Sequence, residues 1–238
     1  MLTNEQFDRT HRLALAVAGI ELAGRHRALL ERRRRRRGIQ DSEALDRLLG
    51  AAERGDASAR RDFIGLLTTR FTSFFRHPWH FALAAEHALW AAHARGRARM
   101  WSAGPATGEE PYSLAMALLE VFRREDPPVS VLATDVDAEA LGVAERGEYA
   151  DRALEDLAPE MRAHFFEITS GSKAQPIPAV RRLVEFRETN LADPIWNVEG
   201  PFDVVFCRNV LMDLEVSRRE GLVGLSPTDL ALSTSPSK

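Results

Sequence analysis

Trp101-Ser-Ala-Gly-Pro-Ala-Thr-Gly-Glu-Glu-Pro-Tyr-Ser113 is the stretch that decides the fold. It follows a short apolar segment, Ala98–Trp101, and leads into the amphipathic segment Pro111–Phe122, a pattern that predicts a strand, a turn and a helix. Gly104 and Gly108 lack a Cβ, so the backbone can bend tightly there and come close to a ligand. Strand, small-residue turn and helix in this order form the unit that opens a nucleotide-type cleft in an α/β sheet.

Two glutamates at the start of the predicted helix, Glu109 and Glu110, are unusual for such a turn. A turn that binds phosphate would avoid carboxylates, because the N-terminus of a helix attracts anions. The pair instead favours a ligand with positive charge. S-adenosylmethionine fits this condition, since it carries a sulfonium and an ammonium group and no phosphate. The alternative is that both glutamates only complement the helix dipole.

Length and composition indicate a globular chain, because 238 residues with 45% hydrophobic content can bury a core in one or two domains. The apolar runs are too short to span a membrane, and the N-terminus does not resemble a signal peptide. Cys207 is the single cysteine, which excludes an internal disulfide and favours a reducing, cytoplasmic setting. The seven histidines are scattered and predict no metal site.

Charge is divided unevenly along the chain. Residues 1–100 contain 19 Arg and Lys against 11 Asp and Glu, whereas residues 101–238 contain 13 against 24. The change of sign falls just before the glycine-containing turn. It indicates two units with different electrostatic roles.

The basic unit has the pattern of successive helices. Thr3 and Gln6 are spaced as a capping box that opens the first helix. Gly38 is placed to cap the C-terminus of the second. The further helices are predicted at Leu22–Arg37, Asp41–Gly50 and Ala57–Leu67.

Six consecutive arginines, Arg32–Arg37, end the second of these helices. One interpretation is an anion-binding face for nucleic acid or for an acidic protein. The other is a solvated helix end whose charges suit the C-terminal dipole. A nucleic-acid binder is the weaker of the two partners, because no aromatic residues are interleaved for base stacking.

Thr68-Thr-Arg-Phe-Thr-Ser-Phe-Phe-Arg-His-Pro78 combines hydroxyl, aromatic and arginine side chains in eleven residues. The aromatic residues predict burial of the segment, while Thr72 and Arg76 direct polar groups toward what lies beside it. Arg76 is suited to hold a carboxylate through two parallel N–H bonds. A helix over Pro78–Arg95 is predicted to lead into the first strand.

The acidic half continues with the pattern of an α/β sheet. Val129–Thr134 is predicted to be a buried strand ending at Asp135, a position that commonly accepts hydrogen bonds from ribose hydroxyls. The alternative for Asp135 is a helix cap, a role for which Asp137 is better placed. Residues 147–188 are more broken, with a helix at Pro159–Phe166 and an alternating strand at Leu183–Phe186, and predict a small inserted subdomain. A further central strand covers Phe202–Arg208.

Taken together, these segments resemble the CheR-type chemotaxis receptor methyltransferases over roughly residues 2–214. The matching pieces follow the family's order and spacing: Thr68–Arg76, Trp101–Ser113, Ala133–Asp137, Asn190-Leu191 and Phe202–Val210. The resemblance implies a Rossmann-like α/β methyltransferase sheet preceded by an all-α domain. It places a receptor-docking domain at residues 1–76 and a methyltransferase domain at residues 77–238, with the inserted subdomain at about 147–188.

The resemblance also implies the cofactor and the site. S-adenosylmethionine would contact Thr72, Arg76, Glu110, Asp135, Asn190, Leu191, Arg208 and Asn209. Arg76 would act at the reacting centre, Glu110 would face the methionine amino group, and Asp135 the ribose. Asn190 and Leu191 would flank the adenine.

The activity implied is methyl transfer to glutamate side chains of chemoreceptors, in the adaptation of chemotaxis signal transduction. The partner would be the cytoplasmic domain of a methyl-accepting chemotaxis receptor. A non-catalytic module that retains receptor or cofactor binding is the alternative.

Three features depart from the family pattern. Arg70 stands where the family has Asn, and Asp213 where it has a tyrosine near the reacting methyl group. The strands that follow in the family are not recognisable in Ser217–Lys238, from which we expect a sheet that is incomplete at its C-terminal end.

Overall fold

The computed structural model describes residues 2–169, 171–193 and 195–208. The helices are α1 Asn4–Ala18, α2 Arg27–Arg36, α3 Ser42–Glu53, α4 Ala57–Leu67, α5 Pro78–Arg95, α6 Glu109–Phe122, α7 Ala138–Arg146, α8 Pro159–Phe165 and α9 Pro178–Arg182. The strands are β1 Ala98–Ala103, β2 Val129–Asp135, β3 Tyr149–Ala150, β4 Phe166–Ile168, β5 Lys173–Pro176, β6 Val184–Glu188 and β7 Val204–Phe206. The predictions that concern residues 209–238, Asn209 and Asp213 among them, lie outside the described ranges.

Helices α1 to α4 form the N-terminal region around a core of their own. The capping box is present, since Thr3 accepts from the Gln6 N–H and the Gln6 side chain accepts from the Thr3 N–H. Leu30, Leu49 and Phe63 are buried together in this core. The prediction that the second helix begins at Leu22 is wrong, because Leu22 precedes a 3-10 turn at Gly24–His26 and α2 begins only at Arg27.

The main sheet is parallel and has the order β6-β2-β1-β7. Helices α5 and α6 pack on one face, in a core that contains Met100 and Val131. Trp101 and Leu132, the next residues along the same strands, are buried in a cluster on the opposite face. Consecutive residues of one strand belong to different clusters because successive side chains of a strand point to opposite faces of the sheet. The mixed α/β architecture with a helical N-terminal region is confirmed.

A second, antiparallel sheet has the order β3-β5-β4. The predicted inserted subdomain therefore has a structural counterpart, but its C-terminal limit near residue 188 is wrong. The strand predicted there, β6, pairs in parallel with β2 in the main sheet, with Val131 opposite Val184. Val184, Glu185 and Phe186 of β6 alternate between half-buried and exposed, so one face of the strand meets water. Such alternation is also typical of small antiparallel sheets.

None of the helices in the described ranges has the length and apolar character that a membrane crossing requires.

Candidate cofactor site

The carboxyl ends of the parallel strands open onto a cavity of about 420 Å³. Its walls come from the turn between β1 and α6, the end of β2, the loop after β6, the linker between α4 and α5, and the C-terminal end of α1. Ligand sites in open α/β sheets lie at this position, and the volume falls in the range of about 300–1,000 Å³ that is typical of ligand pockets.

Seven of the eight residues predicted as cofactor contacts line this one cavity: Thr72, Arg76, Glu110, Asp135, Asn190, Leu191 and Arg208. They come from five separate segments of the chain, so the fold brings together what the sequence spreads over more than half its length. Asn209, the eighth, lies outside the described residues. The roles of these side chains toward a cofactor stay predictions.

The turn after β1 reaches the cavity through two glycines in the left-handed region. Gly104 has a φ of 81° and Gly108 a φ of 97°. A Cβ on Gly108 would lie 2.8 Å from both the Cβ of Ala144 and the hydroxyl of Tyr149. The absence of a side chain thus allows the start of α6 to approach α7 and β3 closely.

Glu110 forms a buried ion pair with Arg208 at the base of the cavity. The Arg208 Nε donates to Glu110 Oε2 at 2.6 Å, and the Ser102 hydroxyl donates to Glu110 Oε1 at 2.7 Å. Both charged side chains are less than 10% exposed. The pair places an acidic side chain where the cavity meets the first turn of α6, and each of the two buried side chains supplies the partner that the other has lost from water.

Glu109, by contrast, does not line the cavity. Its carboxylate accepts from the Thr107 hydroxyl at 2.7 Å, and burial raises its pKa. The expectation that both glutamates of the pair face a cationic ligand is therefore wrong for Glu109. One helical step of about 100° separates the two side chains, so only Glu110 points toward the strand ends.

Asp135 ends β2 with its carboxylate at the cavity wall. Its Oδ2 accepts from the Ala106 N–H at 3.0 Å, and its Oδ1 accepts from the Asp137 N–H at 2.9 Å. The residue is partly exposed through the cavity, but the protein atoms around it desolvate the carboxylate and raise its pKa to about 6. Asp137 is the cap of α7, as predicted, and accepts from the Ala140 N–H at 3.1 Å.

Arg76 brings a further guanidinium to the cavity lining. It lies 5.3 Å from the ring centroid of Phe71, which is 73% exposed. In the part of the chain that the structure describes, no carboxylate forms an ion pair with Arg76. Arg208 forms an ion pair with Glu110. The Arg76 guanidinium lines the cavity and is placed to bind an anionic group of a ligand.

The N-terminal region contributes part of the cavity wall, which the sequence analysis did not foresee. Ala18, the last residue of α1, and Ile20, two residues beyond it, line the cavity together with Leu191. The Asn190 side chain donates to the Val17 carbonyl at 2.8 Å and fastens the loop after β6 to α1. Ile20 is recognisable in the sequence as an apolar residue, but no sequence signal tells which cavity it borders.

The chemistry of the lining fits S-adenosylmethionine. The carboxyl groups of Glu110 and Asp135 suit a ligand with cationic groups and ribose hydroxyls, while Ile20 and Leu191 supply an apolar wall for a base. The glutamates in the first turn of α6 make its N-terminus unsuitable for a phosphate.

Comparison with known proteins agrees with this arrangement. Residues 70–224 match the family model described as "CheR methyltransferase, SAM binding domain". The match continues beyond residue 214, where the sequence analysis placed the end of the resemblance. The described part of this segment contains the main sheet, the antiparallel sheet and most of the cavity lining.

Curated relatives extend the similarity to the N-terminal helices. The chemotaxis protein methyltransferase of Salmonella typhimurium is 36% identical over 230 residues, which are 93% of this chain and 78% of the relative. That of Escherichia coli is 34% identical with the same coverage.

Other relatives match a shorter stretch. The chemotaxis protein methyltransferase 2 of Pseudomonas aeruginosa is 40% identical over 153 residues, 63% of this chain and 55% of the relative, so the chain spans about half the length of that protein. The family model covers more than half of the chain. Its description names S-adenosylmethionine, the cofactor that the cavity lining fits. The chain belongs to the CheR methyltransferase family and carries its S-adenosylmethionine-binding domain.

Proposed function

We propose that this chain transfers a methyl group from S-adenosylmethionine to glutamate side chains in the cytoplasmic domain of chemoreceptors. The similarity to chemotaxis protein methyltransferases supports methyl transfer in chemotaxis. The finer assignment of a glutamate substrate is supported by Arg76, a guanidinium at the cavity that is not paired with a carboxylate among the described residues. A planar guanidinium is the side chain best matched to a carboxylate, which it holds through two parallel hydrogen bonds.

The reaction requires the protein to align the substrate with the cofactor and does not require it to transfer a proton. A glutamate with a reference pKa of about 4.3 is ionised at neutral pH and needs no general base. When bound, S-adenosylmethionine supplies the methyl group, whose carbon bonds to a carboxylate oxygen as the carbon–sulfur bond breaks and its electron pair stays on sulfur. The products are a glutamyl methyl ester and S-adenosylhomocysteine.

Three of the charged side chains at the cavity have roles in the proposal. Asp135 and Glu110 orient the cofactor through its ribose and its amino group. Arg76 holds the incoming carboxylate in line with the methyl carbon and the sulfur. Proximity and orientation of this kind account for most of the rate that such a site has to supply.

The experiment is methyl transfer to a purified receptor cytoplasmic fragment, with cofactor labelled in its methyl group. We expect label in the receptor that is released as methanol by mild base, as a carboxylic ester requires. A receptor fragment with its acceptor glutamates changed to alanine is the control. Binding of S-adenosylhomocysteine without any transfer would favour the non-catalytic alternative, and label that resists base would show that the acceptor is not a carboxylate.

Arg76→Lys and Arg76→Gln separate the role of its geometry from that of its charge. If Arg76 holds the substrate carboxylate, lysine should retain part of the activity and glutamine little, with about a hundredfold lower kcat/KM. Equal activity of wild type and Arg76→Gln would remove the observation on which the glutamate assignment rests.

A further inference from the structure

Arg70, the residue that departs from the family pattern, points away from the cavity toward α7. Its Nε donates to Asp137 Oδ2 and its Nη2 to Asp137 Oδ1, both at 2.9 Å. The same Nη2 donates to Glu139 Oε2 at 2.7 Å. Thr68 adds a bond from its hydroxyl to Asp137 Oδ2 at 2.7 Å. The linker between α4 and α5 is thereby tied to the first turn of α7 by four hydrogen bonds.

A second arginine reaches the same turn from the end of α2. The Arg37 Nη2 donates to Glu139 Oε2 at 3.0 Å, so two guanidinium groups converge on one carboxylate. Arg37 crosses α4 at Gly65, where a Cβ would lie 2.3 Å from its Nη2. Gly65 is therefore the gap through which Arg37 passes to reach α7.

These contacts have the properties of a fixed connection. The Asp137 side chain is 3% exposed, and the Arg70 side chain is 27% exposed. Arg70, and then Arg37, lower the pKa of Glu139 to about 2, so the carboxylate stays ionised. A bidentate arginine with a buried carboxylate is a rigid, charge-assisted contact.

Both ends of the connection are close in sequence to residues that line the cavity. Arg70 is two residues before Thr72, and Asp137 is two residues after Asp135; Thr72 and Asp135 both line the cavity. Thr68 belongs to the connection and to the lining at once. The ion pairs thus join the linker wall of the cavity to the wall at the end of β2.

We propose that Arg70 and Arg37 are positioning residues for the cofactor: their ion pairs with Asp137 and Glu139 hold the linker and the end of β2 at the separation that binding requires. The inference rests on the proposed function, in that the cavity binds S-adenosylmethionine. The arginines act through the walls they hold and do not touch the cofactor.

Calorimetry with S-adenosylhomocysteine, on full-length wild type and variants well below their melting temperatures, tests this role. Arg70→Gln removes the charge and the bidentate contact and should weaken binding by about tenfold, the scale expected when a supporting contact outside a site is lost. Arg124→Gln makes the same chemical change at an exposed position near the far end of α6 and should bind like wild type.

Gly65→Ala separates positioning from stability. It changes no charge and favours the helical state of α4, but its methyl group displaces Arg37 from the path to Glu139. We expect weaker binding of S-adenosylhomocysteine with an unchanged or higher melting temperature, a result that a merely stabilising role does not produce.

Wild-type affinity in both Arg70→Gln and Gly65→Ala would overturn the positioning role while leaving the cofactor site intact. Absence of binding by wild-type protein would instead overturn the proposed function, and the positioning role with it.

Discussion

Asp135 carries a carboxylate whose ionisation the surrounding protein atoms disfavour, because burial raises its pKa to about 6. In an unfolded chain an aspartate has a reference pKa of about 3.9. Its contribution to the stability of the ligand-free protein is therefore fully present below pH 4 and is lost as the pH rises through 6. A ligand that donates hydrogen bonds to the carboxylate reverses this preference, since it favours the ionised form.

This leads to a prediction on pH. Affinity for S-adenosylhomocysteine should be constant above about pH 7 and fall as the pH drops through 6. Below that pH the Asp135 carboxyl group is protonated and must lose its proton when the ligand binds. Calorimetry at pH 6 in buffers of different ionisation enthalpy should show release of about half a proton, because half of the Asp135 carboxyl groups are protonated when the pH equals the pKa. Asp135→Asn should bind more weakly, by about 1.5–3 kcal/mol at pH 7.5, and without that proton release. An unchanged pH profile in Asp135→Asn would place the titrating group elsewhere.

The ion pair of Glu110 and Arg208 leads to a second prediction, on stability. Arg208→Met leaves the Glu110 charge buried with only the Ser102 hydroxyl as partner, and the free energy of unfolding should fall by about 3–5 kcal/mol. Glu110→Gln/Arg208→Met removes both charges and should recover a large part of the loss. Urea denaturation of the three proteins measures both steps. Equal stability of the single and the double variant would show that the buried charge is not the cause.

At the scale of elements, the turn into α6 depends on Gly108, which leads to the third prediction. Gly108→Ala combines a strained positive φ with contacts of 2.8 Å to two neighbours, whereas Gly96→Ala has a positive φ and open space around its Cβ. The strain alone costs about 1–3 kcal/mol, so Gly108→Ala should lower the free energy of unfolding by clearly more than Gly96→Ala. Thermal melts of the two variants compare them directly. Equal losses would mean that α7 and β3 move aside without cost.

Local signals predicted many elements well. Asp56 caps the N-terminus of α4, and Gly96 ends α5 in the left-handed region. The predicted bounds of both helices agree with the structure. Local signals did not predict that β6 belongs to the main sheet, because the pairing partner of a strand depends on contacts with distant residues. The same holds for Arg70 at the site, whose type is visible in the sequence but whose direction is set by the position of α7.

Across the whole molecule, the arginine run Arg32–Arg37 divides between structure and surface. Arg34 is 5% exposed and bonds to Glu31 and to the carbonyls of Ile39 and Gln40. Arg33 donates to the Leu67 carbonyl and Arg37 to Glu139. Arg32 and Arg36 are exposed. The two interpretations of the run therefore apply to different members, and only part of it is available for docking.

Arg32 and Arg36 carry the last prediction, that the basic helices meet acidic receptor helices. Arg32→Ala/Arg36→Ala should slow association with a receptor cytoplasmic fragment and reduce its dependence on salt, because exposed charges steer encounter and are screened within about 8 Å at physiological ionic strength. Binding of S-adenosylhomocysteine should stay unchanged. Surface plasmon resonance at low and high salt measures the rates, and Arg124→Ala, on the acidic half of the chain, is the matched control. If the double variant associates as fast as that control at low salt, the exposed arginines are a solvated surface and the receptor docks elsewhere.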